Sequence, residues 1–410
     1  MSNTINLKIK SKYVQTYQEK YPLIEKEIIE NIDDLKEEGT TVNIMSPKNK
    51  FIAKGYYGRQ NKGYGWVLTY DKNEQIDKNF FVKKIKNAIK KREDFYAEAK
   101  KNITTAFRVL NGEGDGVGGL TIDYFSESSA STCAGYYMLT WYSIGIYTFK
   151  EMIVEALKES IDCKGIYEKK RFDTKGQYLE DNSDFICGEE APKPLIVREN
   201  NVNFAVYLDD GAMTGIFLDQ KEVRKTIRDK YSKGKTVLNA FSYTGAFSVY
   251  AALGGALKTT SVDLAKRSLP KTSEQFCIND IDPKSQEIIV DDVFNYFKYA
   301  VKKQYKFDMV VLDPPSFARS KKMTFSVSKD YVKLLKEAIS ITNKNGIIVA
   351  STNSANFGMM KFRQFIEQAF REIGGKYDIL ETYSLSKDFT VCNEFKEGNY
   401  LKVVFIKKVK

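Results

Sequence analysis

The feature that most constrains the fold is an alternation of strand-like and helix-like segments along residues 196–410. "KTVLNAFSYTGAFSVYAALGG" is typical of a strand, a tight turn and a helix, and "TTSVDLAKRSLPKTSEQFCIND" and "QEIIVDDVFNYFKYA" repeat that order. The strand "FDMVVLDPPSF", the helix "DYVKLLKEAISIT" and the strand "NGIIVASTNSANF" follow. This alternation predicts an α/β fold with a mostly parallel sheet and helices on both faces. Ligands of such sheets bind at the carboxyl ends of the strands, near the point where the strand order reverses.

Acidic residues stand at the ends of three of these predicted strands. Asp263 ends the second strand, Asp292 the third and Asp313 the fourth. Each carboxylate at such a position must be solvated or bonded to a ligand. A single acid there is often a helix N-cap, but three together favour a nucleotide-like cofactor. We expect Asp263 to accept both hydroxyls of a ribose and Asp292 to face a purine edge.

The turn after the first strand distinguishes between nucleotide cofactors. An NAD site carries GxGxxG, whereas "AFSYTGAF" contains Gly245 alone. One glycine and no phosphate cradle favour S-adenosyl-L-methionine, which has an adenosine but no pyrophosphate. The chain contains no histidine, which excludes Ser-His-Asp catalysis and every His-ligated metal site. We therefore expect no metal.

Four segments together resemble one protein family. They are "GIFLDQKEVR", "VLNAFSYTGAFSVYAALGGA", "SVDLAKRSL" and "LDPPSFARSKK", and they are similar to the PUA-containing bacterial 23S rRNA methyltransferases over nearly the whole chain. The resemblance implies a PUA-like RNA-binding domain at 1–78 and a central α+β domain with a linker helix at 79–195. It places a Rossmann-like class I methyltransferase domain at 196–410. It also implies S-adenosyl-L-methionine as methyl donor and a ribosomal RNA base as acceptor.

Matching the family motifs residue by residue gives two groups of candidate site residues. The residues expected around the methyl donor are Gln220, Asn239, Phe241, Tyr243, Gly245, Asp263, Asp292 and Asp313. The residues expected around the acceptor base are Asp313, Pro314, Pro315, Phe317 and Asn353.

The segment "LDPPSFARSKK" has features expected of a site that binds a base flipped out of its stack. Proline has no N–H and holds the preceding residue extended, so Asp313 and the carbonyls around Pro314 should project rigidly into a cleft. Phe317 would offer a stacking surface for the base. The cations expected to meet the flanking phosphates are Arg319, Lys321 and Lys322.

The methylated atom depends on whether a cysteine is available. Methylation of cytosine C5 requires a thiolate that attacks C6, and the C5 enzymes of the family carry that cysteine just after the strand that follows the Pro-Pro motif. Here the matching residue is Asn353, and Cys392 is the one other candidate near the end of the domain. The pattern is more similar to the guanine-N7 half of the bacterial bifunctional 23S rRNA enzyme. Guanine N7 is already nucleophilic and needs only in-line placement.

Other functions remain open at this point. They are a cytosine-C5 methyltransferase, an exocyclic-amine methyltransferase, a small-molecule methyltransferase and a non-catalytic RNA-binding factor that keeps the fold. The chain carries 64 Lys and Arg against 53 Asp and Glu, a net charge of +11, which favours a polyanionic partner. We expect that partner to be 23S rRNA, free or in an assembly intermediate of the subunit.

The first 195 residues give weaker signals. "NFFVKKIKNAIKKREDFYAEAKK" (79–101) predicts a helix with a basic face, and the glycine-rich segment 108–125 predicts a hairpin. The apolar stretch 134–157 is dense in Tyr and predicts a strand and an amphipathic helix rather than a membrane span. Five scattered cysteines suggest reduced thiols. We expect a cytoplasmic protein, and a homodimer stays open.

Overall fold

The computed structural model describes residues 4–60, 63–128, 134–172, 183–211, 214–319 and 324–410. The described residues form two compact units. The first combines Met1–Asn201, Val206–Thr214 and Lys387–Gly398, and the second combines Val202–Ala205, Gly215–Ser386 and Asn399–Lys410. The division at residues 78 and 195 stays a prediction.

The first unit begins with a five-stranded sheet in the order β1-β3-β4-β5-β2. Its elements are β1 (Ile5–Lys8), α1 (Val14–Gln18), β2 (Leu23–Ile24), β3 (Thr41–Met45), β4 (Phe51–Gln60) and β5 (Gly63–Thr69). In β3 buried and half-buried residues alternate, as expected for a strand with one face on the core.

A second five-stranded sheet in this unit has the order β10-β9-β8-β7-β6. The elements are α2 (Lys78–Lys91), α3 (Glu93–Lys100), β6 (Ala106–Asn111), β7 (Leu120–Phe125), β8 (Gly135–Trp141), α4 (Ile144–Tyr147), α5 (Lys150–Ser160), β9 (Cys163–Lys170) and β10 (Ser183–Gly188). β6 and β7 pair antiparallel, which confirms the hairpin predicted for the glycine-rich segment. The apolar stretch forms β8, α4 and α5. Within the described part of the chain, every helix is too short or too polar to span a bilayer.

The basic helix predicted for residues 79–101 is interrupted at Arg92, which separates α2 from α3. The Arg92 side chain is completely buried. Its guanidinium donates to both carboxylate oxygens of Asp115, at 2.8 and 2.7 Å. It also donates to the carbonyl of Asp388 at 3.0 and 2.7 Å and to the hydroxyl of Thr390. These partners are distant in sequence, so helical periodicity could not reveal the break.

The second unit is built on a seven-stranded sheet in the order β15-β14-β13-β16-β19-β21-β20. β11 (Leu195–Glu199) lies in the first unit, and all but the last residue of β12 (Val202–Val206) lies in the second. The later elements of the second unit are α6 (Lys221–Thr226), β13 (Thr236–Ala240), α7 (Ala246–Leu253), β14 (Lys258–Asp263), α8 (Ser268–Cys277), β15 (Glu287–Val290), α9 (Val293–Lys302), β16 (Phe307–Leu312), β17 (Phe317–Arg319), β18 (Thr324–Ser326), α10 (Val327–Ile341), β19 (Thr342–Thr352), α11 (Met359–Ile373), β20 (Tyr377–Tyr383) and β21 (Lys402–Lys408).

The pairing in this sheet confirms the predicted Rossmann-like fold. The five strands β15, β14, β13, β16 and β19 are parallel to one another, and β21 is antiparallel to both β19 and β20. β16, next to β13, is apolar except for Asp308 ("FDMVVL"), as expected for a parallel strand that is covered on both faces. The strand order reverses between β13 and β16. The loops at their carboxyl ends are therefore the expected ligand site.

Candidate active site

The candidate site lies in the second unit, where the loops after β13, β14, β16 and β19 leave the same edge of the sheet. Ala240 at the end of β13 pairs with Leu312 at the end of β16, and Leu312 pairs with Ala350 of β19. Because these registers align the strand ends, loop residues distant in sequence meet at this edge.

The loop after β13 has an unusual backbone that Asp263 fixes. Phe241 and Tyr243 have positive φ values of 63° and 52°, which non-glycine residues adopt at a cost and which often mark functional sites. The Asp263 carboxylate accepts from the backbone N–H of Tyr243 at 2.8 Å and from that of Ala265 at 2.9 Å. A carboxylate can accept about four hydrogen bonds. Two positions of Asp263 therefore remain for a ligand.

Gly245 is required by backbone shape and close packing. Its φ is 77°, and a Cβ atom there would lie 2.5 Å from Cγ2 of Thr272 on α8. The absence of a side chain lets the turn approach α8 and begin α7 directly. Glycine at this position is therefore needed for packing within the protein, whether or not a ligand also lies close to the turn.

Asn239 is completely buried at the end of β13. Its Nδ2 donates to the Ser248 hydroxyl on α7 at 3.0 Å, and that hydroxyl lies 2.7 Å from the hydroxyl of Ser261. The side chain therefore ties the strand to the helix behind the loop.

Asp292 stands two residues after the end of β15 and caps α9. One carboxylate oxygen accepts from the backbone N–H of Phe294 at 2.8 Å and of Asn295 at 3.4 Å. The alternative considered for such acids, a helix N-cap, is thus realised at this position. The second oxygen remains for a ligand.

Gln220 and Asp313 meet at the end of β16, although 93 residues separate them. The Gln220 amide donates to Asp313 Oδ2 at 2.9 Å, and the Ser351 hydroxyl donates to Oδ1 at 2.5 Å. Burial raises the pKa of Asp313, and these hydrogen bonds and the charge of Arg224 only partly offset that effect. The carboxylate is held by two neighbours and does not project freely into the cleft.

The two prolines and Phe317 lead into a short hairpin. Pro314 is buried and Pro315 exposed, and 62% of Phe317 is exposed to solvent, which suits a stacking surface. β17 and β18 pair antiparallel. The side chain of Arg319 and the whole of Lys321 and Lys322 lie outside the described residues.

Asn353 follows β19 directly and is held by the Pro-Pro segment. The hydroxyl of Ser316 donates to Asn353 Oδ1 at 2.6 Å. In the described part of the chain, the Asn353 Nδ2 group has no hydrogen-bond partner. The amide therefore presents its donor side outward.

A buried lysine supports the turn that follows Asn353. Lys402 donates to the carbonyls of Ser354 at 2.8 Å and Tyr400 at 2.6 Å, and its ammonium lies 5.4 Å from the centre of the Phe357 ring. Burial lowers the pKa of Lys402 to about 8. This lysine fixes the loop that carries Asn353.

The predicted cofactor fits the chemistry of these side chains. Gln220 Oε1 and Asn239 Oδ1 are buried and have no hydrogen-bond partner among the described residues. Buried polar atoms are nearly always satisfied, so an orphaned acceptor beside Asp313 indicates room for a ligand donor. Together with the free positions on Asp263 and Asp292, the edge offers acceptors for the ammonium, ribose and adenine amino groups of S-adenosyl-L-methionine.

Sequence reasoning missed several contributors to this edge. They are Ser316, Ser351, Arg224 and Lys402. Of these residues, Ser351 could have been found from the sequence, because it directly follows the buried run "GIIVA" and lies two residues before Asn353. The others become visible only through the pairing of β16, β19 and β21.

Comparison with known families identifies the class of this protein. A family model described as S-adenosylmethionine-dependent methyltransferase matches residues 170–384, and a PUA-like domain model matches residues 7–70. The chain belongs to the S-adenosylmethionine-dependent methyltransferases, and S-adenosyl-L-methionine is its cofactor.

Individual relatives are similar over the full length. "Putative ribosomal RNA large subunit methyltransferase YwbD" of Bacillus subtilis (strain 168) is 56% identical over 404 residues, covering 98% of this chain and 99% of the relative. "Ribosomal RNA large subunit methyltransferase I" of Aliivibrio fischeri (strain ATCC 700601 / ES114) is 32% identical, covering 93% and 94%. The crystal structure of "SMU.776, a putative methyltransferase complexed with SAH" has a TM-score of 0.87 and 38% identity, covering 98% and 99%.

Proposed function

We propose that this protein methylates guanine N7 in 23S ribosomal RNA, acting in the cytoplasm. The names of the full-length relatives support large-subunit ribosomal RNA as the substrate. The net charge of +11 and the PUA-like domain are consistent with an RNA partner. The choice of guanine N7 rests on Asn353.

The observation that carries the proposal is the orientation of the Asn353 amide. Ser316 donates to its Oδ1, so Nδ2 is the group that faces outward. An outward donor complements an acceptor on the base. Guanine presents O6 and N7 as adjacent acceptors on one edge, whereas cytosine presents its N4 amino donor there. A bond from Asn353 to O6 would orient guanine with N7 beside it toward the methyl group.

The described cysteines do not support a covalent cytosine-C5 mechanism. Burial raises the pKa of Cys163 to about 12 and also raises the pKa of Cys392, which disfavours the reactive thiolate form of both. Cys277 is the last residue of α8, a ten-residue helix that starts at the site edge, which places it ~15 Å away. Cys133 lies outside the described residues.

The protein's own residues bind and orient the two reactants. Bound S-adenosyl-L-methionine supplies a methyl group on a positively charged sulfur. Asp263 and Asp292 would hold its ribose and adenine, and Gln220 its methionine end. Phe317 would stack on the base while Asn353 fixes its edge, so no general base is needed, because N7 carries no proton to remove.

The test is product analysis with a cysteine-free variant. All five cysteines are changed to Ala or Ser, and folding is verified by circular dichroism. We expect methylation of 23S rRNA to continue and the product to be cleaved by borohydride and aniline, which attack N7-methylguanine. A folded but inactive variant, or 5-methylcytosine in the digest, would contradict the N7 assignment.

Asn353 is tested by comparison with an asparagine at the other end of the same strand. Asn343 donates to Asp308, at the opposite edge of the sheet. We expect Asn353→Ala to lower kcat about tenfold, the equivalent of one hydrogen bond, with little change in donor affinity. Asn343→Ala should leave both quantities near wild type. Equal kcat values for the two variants would remove Asn353 from the acceptor site.

A further inference from the structure

A cleft in the first unit joins two features that the methyl-transfer site does not use: the basic helix and the glycine-rich turn. The cleft has a volume of about 680 Å³. Three lysines of the helix line one wall, namely Lys84, Lys90 and Lys91, and the turn Gly114–Gly116 lines the other.

The cleft carries more cations than carboxylates. Asp115 lines it, but the buried Arg92 already neutralises that carboxylate with two hydrogen bonds. Lys91 contacts the same carboxylate at 2.9 Å and is therefore a surplus cation. Among the described residues, neither Lys84 nor Lys90 forms an ion pair. Three lysines therefore line the cleft with two carboxylates, Asp115 and Glu93, and the first of these is already paired with Arg92.

The walls of the cleft are fixed by close packing. The Lys84 ammonium donates to the carbonyl of Leu68 at 3.1 Å. A Cβ atom on Gly116 would lie 2.7 Å from that ammonium, and one on Gly114 would lie 1.9 Å from the carbonyl oxygen of Thr390. The two glycines therefore allow close packing of the turn against Lys84 and Thr390, and the ion pair of Asp115 with Arg92 holds the turn in place.

We propose that this cleft binds backbone phosphates of the RNA substrate. Lysine ammonium groups are compact point charges that suit phosphate oxygens. None of the described residues that line the cleft is aromatic, so these residues offer no surface for base stacking. The cleft thus positions the RNA without reading its sequence. The proposal rests on RNA being the substrate, but not on which base atom is methylated.

A neighbouring cavity of about 300 Å³ shares Lys84 and Gly116 with this cleft. It is lined by Lys20 but also by Glu113 and Glu394, so its charge does not favour a polyanion. The proposed phosphate site is therefore limited to the first cleft.

The test compares two pairs of substitutions that remove equal charge. The cleft variant is Lys90→Gln with Lys91→Gln. The control is Lys86→Gln with Lys100→Gln. Lys86 lies on α2 and Lys100 on α3; both lysines are exposed, and neither lines the cleft. Affinity for 23S rRNA transcribed in vitro is measured by filter binding at several KCl concentrations with S-adenosylhomocysteine present. We expect the slope of log affinity against log salt to fall by about 1.4–1.8 in the cleft variant, at ~0.7–0.9 for each phosphate that the protein no longer neutralises.

A second variant tests the same cleft without removing a lysine. Asn87→Glu places a carboxylate among the three lysines, and we expect weaker RNA binding with unchanged S-adenosylhomocysteine affinity. Equal slopes for the cleft variant and its control would overturn the proposal. Wild-type RNA binding without N7-methylguanine formation would contradict only the proposed acceptor atom. A wild-type protein with no affinity for 23S rRNA would overturn both proposals.

Discussion

Replacing Asp263 by Asn tests the donor site with the smallest change of shape. The carboxylate now accepts two backbone N–H groups, at 2.8 and 2.9 Å, and we propose that it also accepts the ribose hydroxyls. The asparagine amide can replace one oxygen but turns an N–H donor toward the other partners. Loss of one hydrogen bond to a charged acceptor costs about 1.5–3 kcal/mol, so we expect donor affinity to fall about tenfold to 150-fold.

Isothermal titration with S-adenosylhomocysteine measures this loss. The matched control is Asp282→Asn, since Asp282 is exposed and also accepts a backbone N–H, from Lys284 at 3.0 Å, but precedes β15 at the other edge of the sheet. Asp282→Asn should bind like wild type, and both variants should keep the wild-type circular dichroism spectrum. An Asp263→Asn affinity within about twofold of wild type would refute the assignment of Asp263 to the donor.

Two further predictions concern lysines and arginine of the second unit. Changing Arg319, Lys321 and Lys322 together to Ala should lower the salt slope of 23S rRNA binding by about two to three and leave donor affinity unchanged; an unaltered slope would make this segment a solvated surface. Lys402→Met tests the buried lysine by urea unfolding at several pH values. Because the folded-state pKa is about 8, below the ordinary value of ~10.4, the unfolded chain binds more protons between these two values. Wild-type stability should therefore rise with pH in that window, and the Met variant should lack this rise; parallel pH profiles would show that Lys402 is not the group responsible.

Local sequence patterns revealed the fold and the acids of the site better than they revealed how those acids are held. Asp263 and Asp313 could be placed because each stands at the end of a buried strand, and strand ends share one edge. The contact of Gln220 with Asp313 and that of Ser316 with Asn353 depend on loops that only the strand order brings together. The break at Arg92 was missed for the same reason, since its partners lie up to 298 residues away.

Because residues 387–398 belong to the first unit, that unit cannot be completed during synthesis until most of the second unit has been made. Arg92 depends on the carbonyl of Asp388 and the hydroxyl of Thr390, which the ribosome adds about 200 residues after the first unit's main segment ends at Asn201. At ~5–20 residues per second this is a delay of ~10–40 s. Throughout that interval a buried guanidinium lacks part of its hydrogen bonding. A nascent chain stopped before residue 387 would therefore contain neither unit in its finished form.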